Sequence, residues 1–202
     1  MIKRVFDTVV SAGALVVSSP VMAVVAVAIK ASSPGPVMFT QERVGLHGRP
    51  FRIHKFRTMR TDHDGLAVSG TGDPRVTRVG AVLRRTKLDE IPQFYDVLRG
   101  RMSLVGPRPE VPEYVAQWTD PAVSVILSVR PGITDPASIE FRNEGDELAL
   151  APDPESHYVN SILPRKTAAY VEYVHSRSFT GDLRILGNTA KAVLAGSALR
   201  RQ

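Results

Sequence analysis

The sequence predicts a mostly helical α/β domain with few short strands, small and docked on a membrane through its N-terminal segment. Three observations point there. Residues 9–29, VVSAGALVVSSPVMAVVAVAI, carry no charge over 21 positions. Two short extended runs, PVMFTQERV at residues 36–44 and FRIHKFRTM at 51–59, flank the turn GLHG. Elsewhere helical periodicity recurs, most clearly where Ile91, Phe94, Tyr95 and Leu98 fall at i, i+3, i+4 and i+7.

With 202 residues and 43% hydrophobic content, the chain can bury one sizeable core. A formal charge of +6 implies a polyanionic partner, which nucleic acid, an anionic membrane surface or a diphosphate substrate would each satisfy. The chain has no cysteine, which excludes disulfides and thiolate metal sites. His47, His54, His63, His157 and His175 never fall at His-x-His or HExxH spacing, so a zinc centre is not expected. There is no P-loop signature, and SGTGDP at residues 69–74 lacks the GxGxxG spacing.

The uncharged segment comes first. At about 1.5 Å per residue it makes a helix of about 32 Å, barely the depth of a hydrocarbon core of about 30 Å. A cleaved signal peptide fits poorly, because the stretch is long and SSPGP at residues 32–36 is a poor cleavage site. Pro20 sits in the middle, where it cannot donate to the carbonyl of Val16 and opens that turn. Ser18 and Ser19 can offer hydroxyls to the freed backbone, as such a break requires in lipid. Each arm is then about ten residues or about 15 Å, enough to reach mid-bilayer and return. Lys3 and Arg4 before the segment and Lys30 after it give both flanks the cytoplasmic signature. Break and flanks together favour a re-entrant helix over a straight, mildly kinked spanning one. Asp7 is expected to be neutralised by Lys3 and Arg4 on one helical face.

After the stiff SSPGP linker and the two extended runs, residues 63–73 are glycine-rich, polar and aperiodic, an expected loop near the site. Helical signals return at 79–85 and 91–98, with Gly100 placed as a C-terminal cap and Thr86 with Asp89 resembling a capping box. GPRPEVPEY at 106–114 must be a stiff connector, leading into a helix over 113–118. Residues 123–129 are apolar and end at RPGITDP, and 146–154 read as an acidic loop. Helices are expected over 164–175 and 182–199. The last has Leu183, Leu186, Ala190, Val193 and Leu194 on one side and Arg184, Lys191, Arg200 and Arg201 on the other. It suits an interfacial helix on anionic lipid and, equally, an amphipathic helix packed on the domain.

Chemistry concentrates at RRTKLDEIPQFYDVL, where Asp89 and Glu90 follow Arg84, Arg85 and Lys87. Adjacent residues on a helix point about 100° apart, so the two carboxylates can divide labour, one facing a reacting atom and the other a metal. Nearby arginines are expected to favour ionised Asp89, a competent nucleophile toward phosphorus. A hard divalent cation, Mg²⁺, would take Glu90 and substrate phosphate oxygens, and the forks of Arg84, Arg85 and Arg108 suit phosphate. From spacing alone, surface ion pairs are the commoner explanation of such a dyad.

Motif context reverses that balance. DPRVTRVGAVLRRTKLDEIPQFYDVLRGRMSLVGPRPE at 73–110 closely resembles the core of the bacterial sugar transferases, the monotopic phosphoglycosyl transferases. FTQERVGLHGRPFRIHKFRTM resembles their upstream motif, and KRVFD with the Ser19–Pro20 break resembles their re-entrant membrane helix. The resemblance runs from about Lys3 to Thr134 and more loosely beyond, and looks like the small form of the family. It implies that residues 1–31 are a membrane-inserted helix–break–helix and residues 32–202 a catalytic domain on the cytoplasmic face of the inner membrane.

The resemblance also implies an activity and its residues. Asp89 would attack the β-phosphate of a nucleoside diphosphate sugar, usually a UDP-sugar, releasing UMP. Polyprenyl phosphate (undecaprenyl phosphate) would then take the phosphosugar from the carboxylate, the first membrane step of exopolysaccharide, O-antigen, capsule or glycoprotein glycan synthesis. Glu90 would help hold Mg²⁺. Arg108 of PRP would meet the nucleotide, Lys55 and Arg57 of KFR would share its basic pocket, and Asp182 would be a further member. A homo-oligomer is compatible with all of this. Two departures stand out: Arg101, where the family often has an acid, and ITDPASIEFRNE at 133–144, so the identity of the sugar does not carry over. A membrane-anchored nucleic-acid-binding module is the rival, and it lacks interleaved aromatics, since Phe51 and Phe56 are alone in the basic run. No nucleic acid partner is therefore expected. A noncatalytic scaffold is the other alternative.

Overall fold

The computed structural model describes residues 1–61, 70–137, 141 and 144–199. Residues 63–69 of the expected loop, parts of the 133–144 run, and Arg200 and Arg201 lie outside the described residues. The fold is mostly helical with few short strands, in agreement with the predicted class.

Helix α1, Ile2–Ser32, contains the whole uncharged segment with Pro20 inside it. It is long and apolar enough to cross a membrane by length and composition. The hydroxyl of Ser19 donates to the carbonyl of Val16 at 2.8 Å, the acceptor that Pro20 leaves without its usual donor. Both ends of α1 pack on the domain while its middle does not. Asp7 and Ser11 are buried at one end and Val25 and Ile29 at the other, whereas Val16, Val17 and Val24 are exposed.

Asp7 corrects the expected local pairing. Its carboxylate accepts from the Ser103 hydroxyl at 2.7 Å, while Lys3 donates to Asp182 at 2.5 Å and Arg4 to the Leu98 carbonyl at 3.2 Å. A buried carboxylate gains more from a fixed neutral donor beside it than from flexible cations at the surface.

Strands β1, Met38–Val44, and β2, Pro50–Phe56, form the expected antiparallel hairpin, with Met38 opposite Phe56 and Val44 opposite Pro50. Helix α2, Arg78–Thr86, starts at Thr77, whose side chain accepts from the Gly80 N–H at 2.9 Å. Gly80 has to be glycine: a Cβ there would lie 1.9 Å from the Thr58 carbonyl oxygen. Thr86 does not cap the next helix. Its hydroxyl turns back to the Val82 carbonyl at 2.8 Å, and Lys87 ends α2 in the left-handed region at φ 58°. Helix α3, Gln93–Leu98, is followed by Gly100 at φ 76°, the expected cap position.

Strand β3, Ser103–Val105, pairs in parallel with β4, Gly132–Thr134, after two short helices, α4 (Pro112–Val115) and α5 (Asp120–Ile126). Three-residue strands carry too little alternation to be seen in sequence, and this sheet was not predicted. Helix α6, Glu144–Leu150, occupies most of the expected acidic loop. Glu144, Asp146 and Glu147 crowd its first turn, where the helix dipole favours anions, and Leu148 is buried. Helix α7, Pro154–His157, leads through a single π turn into α8, Leu163–Ser176. The last helix, α9, is Phe179–Leu199. Ile185 and Leu186 pack it on Leu104, Val105, Tyr173 and Val174, so its first half sits on the domain.

The main core gathers Val111, Tyr114, Trp118, Ile126, Tyr158, Ile162 and Tyr170. A smaller cluster joins Val25 and Ile29 of α1 to Phe56 and Leu83. That second cluster fixes the C-terminal arm of α1 against the elements that carry the dyad.

Candidate active site

Asp89 and Glu90 lie on one 3₁₀ turn, Leu88–Glu90, between α2 and α3, and not at the start of an α-helix. Asp89 is 8% exposed, and its Oδ1 is buried with no hydrogen-bond partner among the described residues. Glu90 is engaged instead. Its Oε1 accepts from Arg108 Nη2 at 2.7 Å and from Lys55 Nζ at 3.3 Å. Lys55 comes from β2 and Arg108 from the proline-stiffened connector, so two distant segments converge on one carboxylate oxygen. Arg84 stands behind them, its Nε donating to the Thr58 hydroxyl at 3.0 Å. Thr58 was not singled out from the sequence, because a lone threonine after KFR carries no spacing signal.

The two carboxyls differ electrostatically. Burial, and then the charge of Glu90, push the Asp89 carboxyl above its ordinary range, against the pull of Lys55, Lys87 and Arg108. This corrects the expectation that nearby arginines dominate: desolvation outweighs them. Burial opposes the charge on Glu90 too, yet Arg108, Lys55 and Lys87 together hold it well below the usual carboxylate range. Burial and then Arg108 bring the Lys55 ammonium down to about 8. Arg108 is raised, chiefly by Glu90.

Asp89, Glu90, Lys55, Arg108 and Arg84 therefore form one cluster, and three other predicted residues stand elsewhere. Arg85 is exposed near the end of α2. Asp182 accepts from Lys3 and, at 2.8 Å, from the Tyr173 hydroxyl, where it fastens α1 to α9. Arg57 donates to the carbonyls of Ser33 and Pro34 in the linker beyond α1. Arg101 has a partner after all, with Nη1 3.6 Å from the fully buried Asp96, whose carboxylate also accepts from the His54 backbone N–H at 2.9 Å.

Among the described residues no group of three or more His, Asp or Glu side chains could cage a metal ion. Mg²⁺ needs no such cage, since it takes one or two carboxylates together with substrate phosphates and keeps its waters. The orphaned Asp89 oxygen beside Glu90 fits a cation shared with a bound diphosphate.

The chain thus combines a buried carboxylate, unpartnered at Oδ1 among the described residues, with a cation-held neighbour and an apolar helix long enough to cross a membrane. The chain belongs to the bacterial sugar transferase family, whose model matches residues 1–196. Among its relatives, UDP-glucose:undecaprenyl-phosphate glucose-1-phosphate transferase of Caulobacter vibrioides is 38% identical over 95% of this chain and 69% of that protein. The enzyme of the same name from Escherichia coli K12 is 45% identical over 92% of this chain and 39% of its own length. UDP-N-acetylgalactosamine-undecaprenyl-phosphate N-acetylgalactosaminephosphotransferase of Aeromonas hydrophila is 42% identical over 98% of this chain and 45% of its length. This chain thus spans less than half of the latter two. The names of these relatives specify two different sugars.

Proposed function

We propose that this chain transfers a sugar 1-phosphate from a UDP-sugar to undecaprenyl phosphate at the cytoplasmic face of the inner membrane, through a covalent phosphosugar on Asp89. The observation that carries it is the Asp89 carboxylate, buried and unpartnered at Oδ1, beside Glu90 held by Lys55 and Arg108. An oxygen that no hydrogen bond occupies keeps its lone pairs for attack.

Asp89 reacts as the carboxylate. Its oxygen then forms a bond to the β-phosphorus, and the bond from that phosphorus to the bridging oxygen breaks. UMP leaves with the bonding electron pair. In the second half-reaction an oxygen of the lipid phosphate attacks the same phosphorus and expels the Asp89 carboxylate, giving the polyprenyl diphosphate sugar. Lys55, Arg84 and Arg108 offset the phosphate charge in both steps. Glu90 and the donor's phosphate oxygens would hold Mg²⁺, whose charge lowers the cost of bringing the anionic carboxylate to the diphosphate.

Membrane position supports the same scheme. Both ends of α1 pack on one body, its apolar middle is exposed, and Pro20 lies inside it, which supports a re-entrant helix that dips into one leaflet and returns. Lipid phosphate at the headgroup level and water-soluble donor then meet at one basic cleft. The test is to mix protein with UDP-sugar carrying label in the sugar and look by intact mass for the adduct. Wild type should release UMP and gain one phosphosugar, and Asp89→Asn should do neither. Turnover by Asp89→Asn would exclude the two-step scheme.

A further inference from the structure

Arg57 sits one residue after Phe56 and two after Lys55, on the continuation of β2. It is 4% exposed, and its side chain turns away from the dyad toward the linker that follows α1. Nη2 donates to the Ser33 carbonyl at 2.8 Å and Nη1 to the Pro34 carbonyl, while its own N–H donates to the Val37 carbonyl at 2.9 Å. The Ser33 carbonyl caps the C-terminal end of α1, where the helix dipole is negative and a guanidinium is favoured, and Pro34 and Val37 follow it in the linker. The linker is shaped for it: Gly35 has φ +117°, and a Cβ at that position would lie 2.7 Å from Arg57 Nη1. Lys30 closes the same turn, donating to the Gly35 carbonyl at 3.0 Å.

Each residue of the Lys55–Thr58 run reaches a different partner. Lys55 holds Glu90, and Phe56 packs with Val25 and Ile29 of α1 and Leu83 of α2. Arg57 holds the linker, and Thr58 holds Arg84 and receives the Thr77 N–H at 3.0 Å. One four-residue run therefore connects the exit of the membrane helix to the catalytic carboxylates.

We propose that Arg57 is a positioning residue, a clamp that sets the depth and angle of the membrane helix relative to Asp89 and so governs presentation of the lipid acceptor. This rests on the phosphoglycosyl transfer proposed above. It differs from a donor-binding role in which half-reaction it touches. Release of UMP on forming the adduct needs a water-soluble donor and the dyad. Transfer to the lipid needs the dyad held at the right height over the bilayer, and small misplacements of reacting groups are expensive.

The experiment uses the full chain in nanodiscs of phosphatidylcholine and phosphatidylglycerol. Arg57→Gln is compared with wild type in single-turnover UMP release without acceptor, and in transfer of phosphosugar to undecaprenyl phosphate. The first should stay within about threefold and the second should fall by about tenfold or more, with a higher KM for the lipid. Gly35→Ala, which forces a Cβ against the guanidinium while leaving Arg57 in place, should give the same split, and it serves if Arg57→Gln does not fold. Arg57→Lys, with the charge but not the fork, should fall between. A structural readout runs beside these. The chain has no cysteine, so a fluorophore on Val21→Cys, at a position 44% exposed in α1, reports depth through quenching by nitroxide lipids. The profile should shift in Arg57→Gln and Gly35→Ala. An unchanged profile, or equal loss in both half-reactions, overturns the proposal. Should wild type release no UMP, the proposed reaction fails, and the depth profile alone then decides on the clamp.

Discussion

Glu110 and Asp89 are both interior carboxylates, and their surroundings are opposite. Glu110 accepts from the Tyr158 hydroxyl at 2.8 Å and has Lys166 at 3.6 Å and Arg43 at 3.5 Å. Lys166 in turn donates to Glu144 at 3.1 Å and to Tyr158 at 3.2 Å. Both Glu110 oxygens have a partner within that network. Asp89 is buried too, and its Oδ1 has no hydrogen-bond partner among the described residues. The saturated cluster holds β1, the PRP connector, α6 and α8 together. The unsaturated one lies on the Leu88–Glu90 turn, beside the Glu90 that Arg108 of the same connector holds, and there an oxygen without a hydrogen bond costs stability and gains reactivity.

The largest effect that would break this contrast comes from Asp89→Asn. Activity should fall by about a thousandfold or more, because the nucleophile is gone. Stability should move the other way. A carboxyl whose pKa is raised by folding binds its proton more tightly in the native state, so ionising it costs stability as pH rises through the folded value. Removing that charge should therefore raise the thermal midpoint at neutral pH, measured with the same detergent or nanodisc. A lower midpoint would mean that Asp89 is structural.

Glu110→Ala should do the reverse. Leaving Arg43 and Lys166 without their shared anion should cost about 3–5 kcal/mol, seen as a midpoint lower by about 10 °C. Activity per folded molecule should change far less than in Asp89→Asn.

The pH profile sharpens the contrast within the dyad. UMP release should fall on the acid side through a value above the ordinary aspartate range, as Asp89 takes up its proton. On the alkaline side it should fall near the Lys55 value of about 8, as Glu90 loses a partner. Glu90→Gln removes a charge that raises Asp89, so the acid limb should move to lower pH while the demand for added Mg²⁺ increases. An unmoved limb would mean that the two carboxyls do not interact.

Arg101→Ala gives the smallest effect. A pair 3.6 Å long to a guanidinium 37% exposed should change stability by less than about 1 kcal/mol.

Much of the architecture was legible because it was written in strong, local signals. The uncharged run, the hairpin about GLHG and the Gly100 cap each depend on residues within a few positions of one another. A helix broken at Pro20 was expected, and α1 runs through it as one helix, with the Ser19 hydroxyl on the Val16 carbonyl as anticipated. The β3–β4 pair and helix α6 were not, since one has too few residues for a period and the other hides its single buried leucine among acids. At the site, the expected dyad and the cations Lys55, Arg84 and Arg108 lie in one cluster. Arg57 and Asp182 were assigned to that pocket by resemblance, and the structure commits their side chains to the two ends of α1. Spacing cannot distinguish a guanidinium that meets a ligand from one that meets a carbonyl of its own chain. Nor can it weigh burial against neighbouring charge, which is why the sign of the Asp89 shift was missed.

Lys3 and Asp182 stand 179 residues apart in the chain. At a ribosomal pace of about 5–20 residues per second, the lysine emerges roughly 10–40 s before its carboxylate has been made. Throughout that interval the leading end of the first helix lacks its fastening to the last. Until then the valines of α1 act without that fastening, and the knot to the globular body is tied afterwards.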